Sequence, residues 1–402
     1  GEDGVRARLM TAIGRVFAHL GQPNRAEVLI ERGLALRSAL YGENHLEAAE
    51  SLAALGQVRL AQKRLPEAEQ LLRRALAIWS EVHGPEDLSS MWAASALGLV
   101  LMEEERFDEA EAQFQHALRV RVREYGPSSP SVLAVRSHIA AIRFRQKDYV
   151  AAAEVLQAIL AEQTLPGRPE DLHLASTLNN LGLVLLRLDR AEEAERASAR
   201  ATEVRERLLP DGHPDLAASY NNLAVALYEL RRFPEAADAF RAAANCTMKR
   251  HGRSHPGVAL LRLQEARSLT NAERHSQANA VLTAALADAA AGLPADHPVI
   301  LVLLETSGAL QVELQQATRA VLTFEDLERR LMDSKDQDPW LLARARVGLA
   351  TARLLQREVT RADAALQAAL PVLAAEPDRE PEVHEQADRL LKEIQRLRPR
   401  EQ

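Results

Sequence analysis

Aromatic side chains make up only 4% of this chain of 402 residues, and cysteine occurs once, as Cys246. So few aromatics leave a core of small and aliphatic side chains, which suits closely packed helices and not a β-rich interior. A single thiol excludes an internal disulfide framework. It leaves the compartment open, because an oxidising space also tolerates one buried thiol. Long hydrophobic runs are missing too. The most apolar stretch, Val299 to Leu304, is cut by Glu305, far short of the roughly 20 apolar residues that a transmembrane helix needs. The formal net charge is −7, and nothing in that balance favours nucleic acid. Lysine supplies five of the 50 basic residues, an arginine bias that points to a GC-rich bacterial coding sequence. No signal peptide is visible, and the chain opens at Gly1 and not at methionine. It is therefore expected to be a fragment, with any anchor or catalytic domain outside it.

What the chain has in abundance is a period. Alanine recurs at positions 26, 68, 110, 152, 194, 236, 278, 320 and 362, nine times at a spacing of 42. Twelve residues before each stands a small residue: Gly14, Gly56, Gly98, Ala140, Gly182, Ala224, Ala266, Gly308 and Ala350. A fixed period of this length means that one supersecondary unit has been copied end to end, so the core must be built by stacking neighbours. The phase overrides the usual expectation of two or three domains for this length. It predicts one repeat domain over residues 1–378, followed by a capping helix and tail over 379–402.

Each unit reads as a helical hairpin. In the second, Leu52, Leu55, Val58 and Leu60 fall near one face of a first helix. After Pro66, which a first helical turn tolerates, Ala68, Leu71, Leu72, Ala75, Leu76 and Trp79 form the stripe of a second. Gly84 follows that stripe and suits a left-handed C-terminal cap, as do Gly42, Gly126 and Gly252. The small residues allow close helix crossing, where overpacking costs about 1–3 kcal/mol. Prolines at 130, 214, 256 and 298 start the next unit.

These residues resemble the tetratricopeptide repeat. Its pattern of leucine-glycine, alanine twelve residues on and alanine seven after that is matched by Leu55-Gly56, Ala68 and Ala75. It returns as Leu97-Gly98, Ala110 and Ala117, and as Leu181-Gly182, Ala194 and Ala201. The 42-residue length, Asn221-Asn222-Leu223-Ala224 and Gly212-His213-Pro214 are similar to the kinesin-light-chain type. The resemblance implies an all-α, right-handed superhelical solenoid of nine helix-turn-helix repeats plus a C-terminal capping helix. Departures cluster late. Glu265 and Ser307 replace the leucine or isoleucine before the small residue, and Leu327 replaces the later alanine. Altered packing or partial solvation is expected there. Residues 379–397 read as a charged amphipathic helix that covers the ninth repeat.

Candidate chemistry is sparse. His45, His213, His255 and His297 fall at one place in different repeats, roughly 10 Å apart if adjacent, about one helix-packing distance. Zinc needs nitrogen ligands near ~2 Å, so these histidines read as loop caps and no metal site is expected. Cys246 has no nucleophile motif around it and reads as core. No phosphate-binding glycine loop, HExxH or paired-carboxylate arrangement occurs. Neither a catalytic residue nor a cofactor is expected, and the chain does not read as an enzyme.

The resemblance further implies that first helices line a concave groove, at positions six, three and two before each small residue and one after. In the first five repeats these positions include Arg8, Arg15, Gln57, Trp92, Ser137, His138, Ser176, Asn179 and Asn180. Beyond them come Asn221, Asn222, Gln264 and Arg267. Asparagine is a poor helix former, so two Asn-Asn pairs inside helices need a reason. An amide both donates and accepts, which suits gripping the backbone of an extended peptide. The expected function is a non-catalytic scaffold that binds a protein or peptide segment in this groove, with no nucleic-acid partner and no membrane insertion. Residues 6–45 also resemble the repeat region attached to bacterial receptor-type serine/threonine kinases. That resemblance implies a sensor or regulatory region, periplasmic if it follows a membrane anchor and cytoplasmic if the protein stands alone.

Overall fold

The structure is a computed structural model that describes residues 2–84, 86–334 and 338–397. All the described elements are α-helices, and the chain divides into two compact units, Gly1–Asp189 and Arg190–Gln402. In the first, α1 (Glu2–His19), α3 (Leu46–Ala61), α5 (Leu88–Glu103), α7 (Pro130–Arg145) and α9 (Leu172–Arg187) are first helices. They alternate with α2 (Pro23–Tyr41), α4 (Leu65–His83), α6 (Phe107–Tyr125) and α8 (Tyr149–Gln163). Each helix packs on the next, and α1 with α3, α3 with α5 and α7 with α9 also touch. No helix among the described residues is long and apolar enough to cross a membrane.

The second unit begins with α10 (Ala191–Leu208). Four hairpins follow: α11 (Pro214–Glu229) with α12 (Phe233–His251), then α13 (Pro256–Asn271) with α14 (His275–Ala290). Next are α15 (Pro298–Glu313) with α16 (Ala317–Asp333), and α17 (Pro339–Leu355) with α18 (Val359–Ala375). The last helix, α19 (Pro381–Leu397), buries Ala387, Leu390 and Ile394 against α17 and α18, and its Gln386 donates to Thr351 Oγ1 at 3.1 Å.

The small residues of the period sit where the helices of a hairpin cross. A Cβ at Gly98 would stand 2.9 Å from the Phe114 ring, too close for any side chain unless the ring moves. Their partners Ala26, Ala68, Ala110 and Ala152 are fully buried. This is a core of close backbone approach, which the scarcity of aromatics already implied.

Helix ends follow two rules. First helices close in a Schellman arrangement: Lys147 N–H donates to Phe144 O at 3.0 Å and Asp148 N–H to Arg143 O at 2.9 Å. The residue that turns the chain there has positive φ and, after Gly21, is never glycine: Lys63, Glu105, Lys147, Asp189, Arg231, Glu273, Gln315 and Arg357. The glycines expected to form left-handed caps on second helices differ from that expectation. Gly84 has φ 86° and ψ 163°, in the mirror-extended region open essentially to glycine alone. The left-handed caps lie at the other helix ends.

Repeats seven and eight are not solvated at their departures. Glu265 is only 1% exposed. Arg241 Nε donates to its Oε1 and Arg262 Nη1 to its Oε2, both at 2.7 Å, so the buried charge is satisfied on both oxygens. Ser307 is buried and accepts from Gln311 Nε2 at 3.2 Å, while Leu327 is fully buried.

Candidate functional site

The first helices of the N-terminal unit border two cavities. The larger, about 730 Å³, is walled by α1, α3, α5 and the end of α4. Ala53 and Ala54 keep it open by being small, and Arg15, Gln57, Trp79 and Trp92 surround them. Trp92 is 60% exposed, an indole left in water beside an apolar recess. Its ring centroid lies 5.8 Å from the Arg121 guanidinium.

Charge at this cavity is arranged around one buried arginine. Arg37 is 1% exposed, and its Nη1 donates to Glu47 O at 2.8 Å and Ser51 Oγ at 3.1 Å. Its guanidinium also pairs with the carboxylates of Glu47 at 3.3 Å and Glu50 at 3.0 Å. The same two carboxylates take Arg8 at 2.7 Å and Arg15 at 3.2 Å. Both candidate arginines of the first repeat thus have acidic partners within the chain, and the network holds more positive than negative charge.

The smaller cavity, about 320 Å³, lies between α7 and α9 at the end of α8. Ser137, His138, Ser176 and Asn180 line it together. Asn180 is exposed, whereas Asn179 is half-buried and engaged in interactions of its own. His138 stacks on Phe114 with ring centroids 5.1 Å apart. Burial, aided by the charge of Arg121, holds its imidazole below the usual histidine range.

In the C-terminal unit, Asn221, Asn222 and Gln264 are half-buried and Arg267 is exposed, on α11 and α13. Asn222 has interactions within the chain. None of these four lines a described cavity of that unit. Beside α17, Arg344 bridges Glu305 at 2.6 Å and Glu380 at 3.0 Å. Burial pushes the Glu305 carboxyl up, against the opposing pull of Arg344.

The histidines of the loop register are helix N-caps. Nδ1 of His45, His213, His255 and His297 accepts the backbone N–H two residues on, at 3.2, 3.2, 3.1 and 3.2 Å. Asp87 and Asp171 occupy the same register and cap α5 and α9. Cys246 is buried. Among the described residues no cluster of three or more His, Cys, Asp or Glu could hold a metal ion.

One recurrent feature escaped the reading of the residues. Arg121 and Arg205 lie in the register of Arg37, are also buried, and donate to Ser131 O at 2.9 Å and Asp215 O at 2.7 Å. The 42-residue phase was sufficient to align them, but arginine is so frequent here that these three did not stand out.

Paired helices repeated at a constant spacing of 42 residues, with first helices of the N-terminal unit bordering open cavities, define a repeat scaffold. A profile described as tetratricopeptide repeat matches residues 5–81, 55–101, 89–161 and 173–249, and the chain belongs to this family. Such repeats are in general protein-interaction scaffolds, without catalytic activity of their own. Among solved structures, the apo form of RapI aligns with a TM-score of 0.58 at 9% identity, over 87% of this chain and 98% of that one. The nearly identical TPR-like repeats of a Podosopora anserina putative kinesin light chain give 0.45 at 19% identity, over 51% and 97%. BtubC from P. vanneervenii gives 0.38 at 16%, over 69% and 93%. At these identities the likeness is one of fold. No curated protein matches the chain.

Proposed function

We propose that the first-helix face of the N-terminal unit binds an extended segment of a protein partner. The observation that carries this reading is Trp92, 60% exposed beside a cavity of about 730 Å³ whose floor is alanine. An exposed indole next to a small-residue recess has the chemistry of an interface anchor. Gln57, Asn180, Ser137 and Ser176 add donors and acceptors suited to a peptide backbone. Asn221, Asn222, Gln264 and Arg267 offer a comparable set on first helices of the C-terminal unit.

The test is selection of binding peptides on the whole chain, followed by affinity measurements on Trp92→Ala and Asn180→Ala. Loss of about tenfold or more for Trp92→Ala, with an unchanged melting curve, supports the reading. Unaltered affinity in both variants overturns it. A second reading, as a regulatory region of a serine/threonine kinase, rests on the resemblance of residues 6–45. It is tested by reading the coding sequence upstream of Gly1 for kinase motifs.

A further inference from the structure

The register of Arg37, Arg121 and Arg205 has a different occupant in the fourth repeat, Gln163. In the first, third and fifth repeats a buried guanidinium spans to the next first helix and donates to the carbonyl of its second residue. In the first and fifth it also donates to a serine hydroxyl one turn on, Ser51 or Ser219. At the equivalent positions after Gln163 stand the His173 carbonyl and the Thr177 hydroxyl, and all three residues line the smaller cavity. Thr177 Oγ1 donates to His173 O at 3.1 Å, and among the described residues no guanidinium donates to either group.

Two further features mark this junction. Helix α8 has 15 residues where α2, α4 and α6 have 19, so it stops a turn early at Gln163. The cavity of about 320 Å³ opens there, with Gln163 in its wall. Gln163 is 9% exposed, and its amide oxygen has no hydrogen-bond partner among the described residues. A buried acceptor left unpaired is costly, and it marks a place where a donor belongs.

We propose that this cavity takes a guanidinium from outside the chain, the arginine side chain of a bound segment, in the place that Arg37, Arg121 and Arg205 fill from within. The inference rests on the reading that the first-helix face of the N-terminal unit receives an extended segment. A guanidinium carries five donors in a planar fork and no acceptor. The acceptors here are the Gln163 amide oxygen, the His173 carbonyl and the Asp171 carboxylate, whose Oδ1 also caps α9 by accepting from Leu174 N–H at 2.9 Å. Asp171 supplies the countercharge. Arg168 is also in the wall, but its Nη2 is tied to Ser128 O at 3.1 Å.

The test uses the full chain and two short peptides, one with a central arginine flanked by glycines and one with neutral, isosteric citrulline in its place. Calorimetric titration is expected to show the arginine peptide binding about tenfold or more tightly than the citrulline peptide. Gln163→Arg, which restores the internal arginine, is expected to abolish that preference without lowering the melting temperature. Asp171→Asn keeps the helix cap and is expected to weaken the arginine peptide alone, which decides the matter if Gln163→Arg fails to fold. Equal binding of the two peptides, or an arginine preference that persists in folded Gln163→Arg, overturns the inference. Selected peptides that depend on Trp92 but show no arginine preference would overturn it and leave the wider reading standing.

Discussion

Arg37 Nη1 lies 2.8 Å from the carbonyl oxygen of Glu47, ten residues downstream and on the next helix. With Ser51 Oγ at 3.1 Å from the same nitrogen, one buried guanidinium ties α2 to the first two turns of α3. Removing it takes a donor from the Glu47 carbonyl and the Ser51 hydroxyl and a countercharge from two carboxylates. Arg37→Met, which keeps much of the volume, is expected to lower stability by about 2–3 kcal/mol. The figure is held below that of a fully buried pair because Glu50 is 43% exposed. Urea unfolding monitored by circular dichroism measures the change, and a loss under about 0.5 kcal/mol would reduce the network to surface pairing.

The capping register accepts histidine and aspartate alike, because all it needs is one acceptor aimed at the backbone N–H two or three residues on. His255→Ala is expected to cost about 1 kcal/mol, and His255→Asp to retain most of the native value. Thermal unfolding of the two variants side by side is the check. Equal losses would show that the ring contact with His251, not the cap, is what His255 contributes.

Lys147 turns the chain between α7 and α8 at φ 65°. For a residue with a Cβ this conformation costs about 1–2 kcal/mol, which glycine avoids in part at the expense of backbone entropy. Lys147→Gly is therefore expected to raise stability by about 0.5–1 kcal/mol, and Lys147→Ala to bring no gain. Chemical denaturation midpoints separate the two outcomes.

The fold favours neutral His138, whose pKa in the native chain lies below the ordinary 6.5. As pH falls through 6.5, the unfolded chain takes up the proton first, so this contribution is complete above that value and lost below it. Stability is expected to decline between pH 7 and pH 5, with His116, also depressed by burial, adding to the slope. His138→Phe preserves stacking on Phe114 and should flatten part of the decline. An unchanged slope would place the acid sensitivity elsewhere.

The fold was legible because the period is a property of the chain itself: nine alanines and nine small partners leave few other ways to pack. The exposure of Trp92 was not, since a groove tryptophan and an inter-repeat tryptophan share the same sequence position. Glu265 shows a different limit. Its polarity was visible, but the arginines that satisfy it come from one turn back and from α12, 24 residues earlier. The cavity at Gln163 depends on α8 stopping a turn early, a detail of helix length beyond what periodicity resolves. The asparagine pairs lie on the first helices α9 and α11, and of the four Asn180 alone borders one of the described cavities.

Buried arginines bolt the first repeat to the second and the third to the fourth, whereas Trp79 and Gln163 stand at the intervening junctions. The N-terminal unit is therefore not a uniform stack of equal links. In an array held together by nearest-neighbour coupling, a junction closed by a buried ion network and one closed by an apolar core residue such as Trp79 differ in what weakens them. Rising salt, which screens the partly exposed carboxylate of Glu50, should then loosen amide protection at the Arg37 junction and leave the Trp79 junction little changed.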